Sequence, residues 1–221
     1  MSRPGVFAGF LALAAALALL AAPGRAAAAG SPTLLLLGSR GPAVLALNER
    51  LAELRYLRPA QISSAFTAGT FHAVVAFQKY TRLSRDGIVG PETRAALRTA
   101  RRPRPLLAQP GRRIEVWLSR QLVFLVARGR VRRAVAVSTG RPGYETPSGR
   151  FSVYRRERLS WSAVYDVWLR WAAYFHPRGI AFHGYRRVPT RPASGGCVRV
   201  PPPFAREVYR FAQIGVPVVV R

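Results

Sequence analysis

The sequence predicts two domains, a small all-α three-helix bundle followed by a mainly β domain. Leucine and valine recur every three or four positions between residues 44 and 57, which is the spacing of an amphipathic helix. After residue 112, short β-branched runs are separated by glycine-containing turns, which is typical of strands that are neighbours along the chain. With 221 residues, 49% of them hydrophobic, the chain is long enough for both domains to have a core.

Three helices are predicted in the first domain, residues 33–99. The first carries the leucine pattern described above. The second is expected to begin at Thr70, whose hydroxyl can cap it, and its apolar face contains Phe71, Val74, Val75 and Phe77. The third covers residues 92–98 and follows Pro91, a residue favoured in the first turn of a helix.

The second domain, residues 112–221, is predicted to contain short strands and a single convincing helix at residues 204–212. The strands are expected at residues 114–118, 121–127, 131–137, 151–155 and 216–220. The aromatic-rich stretch 161–175 is predicted to be core packing or a covering hairpin, and the alternative is a lid over a groove. Residues 100–111 are rich in proline and arginine and are predicted to be a stiff, charged linker.

Residues 1–29 have the composition of a secretory signal peptide. Arg3 supplies a positive charge, residues 6–22 form an uninterrupted apolar run, and small residues at 26–29 offer cleavage sites. The run is near the lower limit for crossing a bilayer, so an uncleaved anchor is the alternative. In either case the remaining chain is expected to be exported, to the periplasm or the cell wall, with no other membrane segment.

The formal net charge of +26 arises from 35 basic and 9 acidic residues, and Lys79 is the only lysine. Such a charge favours anionic partners such as acidic wall polymers, and the alternative is a solvated arginine-rich surface. The arginines form no helical stripe with interleaved aromatic residues, so nucleic-acid binding is not predicted. The three histidines lack the spacing of zinc ligands, and neither a metal nor another cofactor is predicted.

The chain's single cysteine, Cys197, lies fourteen residues after His183, and the two form the candidate reactive pair. A lone cysteine is either a buried apolar residue or a reactive thiol, and a neighbouring imidazole can take the thiol proton. His183 ends an apolar run that is expected to be a strand, and the carbonyl of Gly184 could fix its ring tautomer. Gly195 and Gly196 allow a tight turn before the cysteine, with amide N–H groups available to an oxyanion.

Four motifs of the second domain resemble those of the L,D-transpeptidase (YkuD-like) catalytic domain, in the same order and spacing. They are Ser138-Thr-Gly140, Thr146-Pro-Ser-Gly-Arg-Phe151, Ile180-Ala-Phe-His-Gly184 and Ser194-Gly-Gly-Cys-Val-Arg199. The resemblance implies a β-rich fold and acyl transfer through a thioester on Cys197. His183 would be base and then acid, and Gly184 would offer its carbonyl to the imidazole. The residues that would shape the substrate end are Ser194, Gly195, Gly196 and Arg199.

The substrate implied by this resemblance is the tetrapeptide stem of peptidoglycan. Attack on the carbonyl before the terminal D-alanine would release that residue, and an amine from a second stem would resolve the thioester into a cross-link. Water as acceptor would instead make the protein an L,D-carboxypeptidase, and a catalytically silent wall-binding protein is a further alternative. Many members of the family have histidine at the position of Gly195, a departure that bears on turnover and acceptor.

The first domain resembles the peptidoglycan-binding domain 1 family. The matching segments are Leu37-Gly-Ser-Arg-Gly-Pro-Ala-Val44, Leu47-Asn-Glu-Arg-Leu51, Ala73-Val-Val-Ala-Phe-Gln78 and Asp86-Gly-Ile-Val-Gly-Pro-Glu-Thr93. The resemblance implies a three-helix domain that docks on cell-wall peptide or glycan. The alternative is a bundle that only packs on its neighbouring domain.

Overall fold

The computed structural model describes residues 34–221 together with residues 1, 2 and 5. The predicted signal peptide therefore lies outside the described residues, apart from those three positions. The chain divides into two compact units, and the second, Pro32–Arg221, contains every helix and strand described below. Among the helices of the described part, none is both long and apolar enough to cross a membrane.

The predicted three-helix bundle is confirmed. Its helices are α1 (Pro42–Glu53), α2 (Ala68–Thr81) and α3 (Pro91–Thr99). Helix α2 begins one turn before the predicted start because Thr67, not Thr70, is the N-cap. The Thr67 hydroxyl accepts a hydrogen bond from the Thr70 amide at 3.3 Å, and the Thr70 hydroxyl accepts one from the Thr67 amide at 3.2 Å. This reciprocal pair satisfies amides that the first turn of a helix leaves without partners.

The Phe-Gln and Asp-Gly motifs of the bundle meet at the buried amide of Gln78. Its Nε2 donates to Asp86 Oδ1 at 2.8 Å and to the carbonyl of Ile88 at 3.0 Å. Its Oε1 accepts from the Gly87 amide at 2.8 Å. Gly87 has φ +74, in the left-handed region that favours glycine, and a Cβ there would lie 2.2 Å from the Phe71 ring. The motif therefore fastens the turn before α3 to α2.

The second domain is mainly β, as predicted, with two sheets and one helix. The five-stranded sheet has the order β3-β2-β1-β9-β4, with β1 Arg113–Trp117, β2 Leu122–Ala127, β3 Arg130–Ala136, β4 Gly149–Ser152 and β9 Pro217–Val220. The four-stranded sheet has the order β5-β6-β7-β8, with β5 Arg155–Ser162, β6 Val167–His176, β7 Ile180–Gly184 and β8 Val198–Val200. Helix α4, Pro202–Phe211, follows β8 and contacts β6 and β7.

The aromatic stretch forms the antiparallel hairpin β5–β6, in which Trp161 pairs with Trp168. Strand β5 was not predicted because most of its residues are charged or polar and most are at least partly exposed, so it lacks an apolar pattern. The hairpin joins strand β7 through β6, and β7 pairs in parallel with β8. The turn of the hairpin lies close to the residues that precede β8, because the Tyr165 hydroxyl in that turn donates to the Gly195 carbonyl.

The bundle and the β domain share one continuous core. Tyr80 of α2 packs edge to face on Trp117 and Phe124, with ring centroids 6.3 and 6.2 Å apart. The segment between α3 and β1 is also attached, because the amides of Leu106 and Leu107 donate to the buried Glu115 carboxylate at 2.6 and 3.2 Å. The linker residues thus contact β1, and the two domains pack directly on each other.

Candidate active site

His183 and Cys197 lie on one face of the two adjacent parallel strands β7 and β8. His183 pairs with Arg199 in the strand register, and Cys197 is the residue just before β8. Paired residues share a face, and residues two apart on a strand share it as well, so all three side chains project to the same side. The local sequence explains their placement, since the neighbouring residues Phe182 and Val198 point to the opposite side of the strands and are buried.

The imidazole of His183 is buried and held by the next residue of the chain. It is 4% exposed, and its Nδ1 lies 3.1 Å from the carbonyl oxygen of Gly184. A carbonyl can only accept a hydrogen bond, so Nδ1 carries the proton and Nε2 keeps its lone pair. Burial lowers the pKa of His183 to about 4; the Gly184 hydrogen bond opposes this shift and the nearby Arg199 charge adds to it. His183 is therefore neutral at pH 7.

Burial likewise raises the pKa of the Cys197 thiol, while a hydrogen bond from the Ala181 backbone and the charge of Arg199 act in the opposite direction. The resting pair is therefore a neutral thiol beside a neutral imidazole. A thiol in this state becomes a strong nucleophile when a base takes its proton during the attack. Arg199 supplies a nearby positive charge, which favours the thiolate form of Cys197.

The loop before the cysteine is held by hydrogen bonds within it. The buried Ser194 hydroxyl donates to the Cys197 carbonyl at 2.5 Å and accepts from the Gly196 amide at 3.1 Å. Thr146 Oγ1 donates to the Gly196 carbonyl at 2.6 Å. Gly196 has φ +117, a backbone conformation that residues other than glycine rarely adopt. The Gly196 amide, expected to be available to an oxyanion, is thus engaged with Ser194 in this state.

The Ser-Thr-Gly motif connects this loop to the five-stranded sheet. Ser138 forms a bridge with Arg199, and the Thr139 carbonyl accepts hydrogen bonds from the amides of Ala193 and Ser194 at 2.9 and 3.0 Å. A Cβ on Gly140 would lie 1.9 Å from a backbone oxygen, so only glycine fits there. The motif is therefore explained by close backbone packing around the cysteine loop.

Arg199 is fixed by its neighbours. Its guanidinium donates to the Ala193 carbonyl at 3.1 Å and lies over the ring of Tyr185, 4.1 Å from the centroid. A cation in contact with an aromatic face and a carbonyl keeps its charge while losing mobility. Arg199 thus presents a positioned positive charge beside His183 and Cys197.

These residues open into a pocket of about 460 Å³ that lies against the hairpin β5–β6. Its wall includes His183, Cys197, Ser194, Arg199, Trp161 and Tyr165. A second pocket of about 390 Å³ shares Gly195 and Ile180 with it and is also lined by Glu145. The cysteine loop therefore adjoins two concave spaces, each large enough for part of a peptide.

Tyr165, in the turn of the hairpin, occupies the space beside Gly195. Its hydroxyl donates to the Gly195 carbonyl at 3.2 Å. A Cβ on Gly195 would lie 1.8 Å from that hydroxyl oxygen and 2.4 Å from Cζ, so a side chain at residue 195 excludes the present position of Tyr165. The sequence marked Gly195 as a departure from the family motif and put Tyr165 in the aromatic-rich stretch, but it gave no indication that the two residues touch.

The comparisons with known proteins agree with this geometry. The L,D-transpeptidase catalytic domain (YkuD) matches residues 111–220, and a peptidoglycan binding domain (PG_binding_1) matches residues 40–97. The crystal structure of the L,D-transpeptidase from Xylanimonas cellulosilytica is 35% identical, with a TM-score of 0.78, over 86% of this chain and 98% of that one. The chain belongs to the L,D-transpeptidase family. Both resemblances predicted from the motifs are confirmed.

A second L,D-transpeptidase structure, from Stackebrandtia nassauensis, is 24% identical with a TM-score of 0.52, over 86% of this chain and 97% of that one. At this identity the likeness concerns the fold alone. No curated protein matches the sequence. As a member of the family with an added peptidoglycan binding domain, this L,D-transpeptidase is a cell-wall enzyme whose substrate is peptidoglycan.

Proposed function

We propose that this L,D-transpeptidase forms a thioester between Cys197 and the tetrapeptide stem of peptidoglycan, releases D-alanine, and transfers the acyl group to an amine of a second stem. The observation that carries the proposal is the pairing of β7 with β8. It puts a neutral imidazole with a free Nε2 and the chain's only cysteine on one face, at a pocket wall.

The chemistry follows from the protonation states. The Cys197 sulfur attacks the stem carbonyl while its proton passes to Nε2 of His183, which makes a tetrahedral intermediate and an imidazolium. Collapse of the intermediate breaks the amide bond, and the imidazolium protonates the departing nitrogen of D-alanine. In the second half, the acceptor amine attacks the thioester, its proton passes to Nε2, and the imidazolium returns that proton to the departing cysteine sulfur.

The neighbouring residues support these steps in different ways. We assign Gly184 to holding the tautomer of His183, and Ser194 and Gly196 to holding the loop that carries the cysteine. Arg199 offers its charge to the thiolate and to anionic parts of the substrate. We assign Gly195, which lines both pockets, to contact with the stem peptide.

The rest of the chain suits work on the wall. The proposed role of the bundle is to dock on peptidoglycan, and the net charge of +26 suits contact with anionic wall polymers. The composition of residues 1–29 supports export to the periplasm or the wall, with or without cleavage. No cofactor takes part in the proposed reaction.

The test of the nucleophile is Cys197→Ala, assayed for D-alanine release and dimer formation from purified muropeptides. We expect both products to be lost while binding to insoluble peptidoglycan is unchanged. If the variant releases as much D-alanine as the wild type, the assignment of Cys197 is wrong. If the wild type releases D-alanine but forms no dimers, water is the acceptor and the protein is an L,D-carboxypeptidase.

Intact-mass spectrometry with a carbapenem gives an independent answer. We expect the wild type to gain the mass of one carbapenem and Cys197→Ala to gain none, since the chain contains a single thiol. A wild type that stays unmodified and releases no D-alanine would favour a wall-binding protein without catalysis.

A further inference from the structure

Lys79, the chain's only lysine, is buried where the helical bundle meets the five-stranded sheet. It lies in the last turn of α2 and has 0% of its surface exposed. Its Nζ donates to two main-chain carbonyl oxygens of the β domain, Gln121 at 3.1 Å and Val137 at 2.8 Å. Among the described ion pairs none includes this amine. Within the described residues, the amine is thus held by these two carbonyls.

Such a site is costly for a charged group, because a buried cation without a carboxylate is poorly solvated. Burial, followed by the charge of Arg85, lowers the pKa of Lys79 to about 7. Both the ammonium and the neutral amine carry N–H groups, so the two hydrogen bonds persist in either form. An apolar side chain would fill this place with a smaller desolvation penalty. The presence of lysine is therefore explained better by what its two hydrogen bonds hold in place than by packing.

The first partner, Gln121, has a strained conformation that several contacts maintain. Its φ of 54° lies in the left-handed region, which costs a residue with a side chain about 1–3 kcal/mol. Its carbonyl accepts from both Lys79 and the Val137 amide, the latter at 3.0 Å. The Gln121 side chain holds Thr139, since its Nε2 donates to Thr139 Oγ1 at 2.7 Å and its Oε1 accepts from the Thr139 amide at 2.8 Å. Nε2 also donates to the Leu118 carbonyl at 2.6 Å.

Thr139 connects Gln121 to the loop that carries Cys197, and these hydrogen bonds form a continuous path from Lys79 to the nucleophile. Its carbonyl accepts the amides of Ala193 and Ser194, and the Ser194 hydroxyl donates to the Cys197 carbonyl. The side chains of Lys79, Gln121, Thr139 and Ser194 are all buried. A change at the start of such a path moves the residues at its end, because a close-packed interior transmits displacement.

We propose that Lys79 is a positioning residue for Cys197: by fixing Gln121, and through it Thr139, it sets the conformation of the cysteine loop. The peptidoglycan-binding bundle is then a structural part of the active site as well as a docking domain. This inference rests on the proposed function, in which Cys197 is the nucleophile.

A second buried cation at the same junction provides a matched control. Arg133 on β3 donates to the Leu57 carbonyl of the bundle and to Glu207 Oε1 of α4, the latter at 3.1 Å. It is 5% exposed and, like Lys79, links the bundle to the sheet. Its recorded hydrogen bonds lead to the bundle and to α4, and none leads to the loop before Cys197.

The experiment compares Lys79→Met and Arg133→Met in the full chain. Methionine has nearly the length of lysine and no donor. Two rates are measured at a temperature where circular dichroism shows folded protein: carbapenem acylation by intact mass, and iodoacetamide alkylation of the single thiol from pH 6 to 10. We expect Lys79→Met to be acylated about ten- to a hundredfold more slowly, with a shifted alkylation profile, because small misplacements of a nucleophile have effects of this size. Arg133→Met is expected to stay within about twofold of the wild type in both rates, since neither of its contacts reaches the loop.

Two results would overturn the inference: wild-type rates and alkylation profile in Lys79→Met, or equal slowing in both variants, which would indicate general loosening. If Lys79→Met does not fold, Gln121→Asn replaces it. Asparagine tolerates the left-handed conformation but is too short to reach Thr139, so slow acylation in this variant supports the path and a wild-type rate refutes it. A wild type that is never acylated refutes the proposed function instead, and the alkylation profiles still decide the role of Lys79.

Discussion

Replacing Gly195 with alanine tests the contact between the hairpin and the cysteine loop. The φ of Gly195 lies outside the left-handed region, so alanine fits the backbone. Its Cβ, however, would lie 1.8 Å from the hydroxyl of Tyr165, whereas ordinary contacts begin at 3.4 Å. The hydroxyl would have to retreat by about 1.6 Å, which breaks its hydrogen bond to the Gly195 carbonyl.

The magnitude follows from that single bond. A neutral hydrogen bond contributes about 0.5–1.5 kcal/mol, which corresponds to about a two- to tenfold change in a rate or binding constant. Because Tyr165 is 49% exposed, its ring can swing into solvent, and we expect a decrease in Tm of only a few degrees. The larger effect is expected on KM for muropeptides, since the ring forms part of the pocket wall.

A double-mutant cycle shows whether the effect passes through Tyr165. Gly195→Ala, Tyr165→Ala and the double variant are compared in D-alanine release and carbapenem acylation. With Tyr165→Ala the obstructing hydroxyl is gone, so Gly195→Ala should add little in that background. Gly90→Ala, at a glycine whose Cβ would make only an ordinary contact at 3.4 Å, is the control. An equal loss from Gly195→Ala in both backgrounds would refute the steric argument.

Two further predictions concern the base and the loop. The pKa of His183 is about 4, so the imidazole stays neutral near pH 7 and becomes protonated only below about pH 4. The rate of carbapenem acylation, measured by stopped flow, should therefore be constant near pH 7 as far as this group is concerned and should decline below about pH 4. A decline centred near pH 6.5 would contradict the buried neutral base. Because the pKa of His183 in the folded protein lies below its ordinary value, the unfolded chain binds more protons between pH 4 and 6.5. The stability of the fold therefore decreases as the pH falls through this range. Circular dichroism should be measured beside each rate, so that loss of fold is distinguished from protonation of the base. Gly196→Ala should destabilise the fold by about 1–3 kcal/mol and remove most acylation, because the backbone of residue 196 has φ +117, which is strained for alanine. A Tm equal to that of Gly195→Ala would count against this reasoning.

Much of the fold could be predicted from local patterns. In the helices of the bundle, apolar residues recur every three to four positions, because one face of each helix is buried. Most strands of the five-stranded sheet are short apolar runs, because both of their faces are buried. The start of α2 was misplaced because two threonines three residues apart can each serve as a cap, and only the hydrogen bonds distinguish Thr67 from Thr70. Strand β5 was missed because its side chains are mostly polar and partly exposed.

The candidate site divides in the same way. His183 and Cys197 could be named as candidates from sequence because the chain has three histidines and one cysteine, and Gly184 because it directly follows His183 in a contiguous motif. The sequence did not indicate that the Gly196 amide would be engaged by Ser194, since this depends on the shape of the loop. It also predicted no role for Lys79, whose partners lie 42 and 58 residues further along the chain.

The sequence by itself determined the two domains, the family and the candidate reactive pair, because these depend on periodicity and on motifs confined to short segments. Only the tertiary structure decided which residues surround that pair. The contact of Tyr165 with Gly195 joins two residues that are 30 positions apart in the chain. The burial of Lys79 depends on how α2 packs against β2 and β3. Contacts between distant segments are set by packing of the whole chain, and a local pattern of residues does not contain that information.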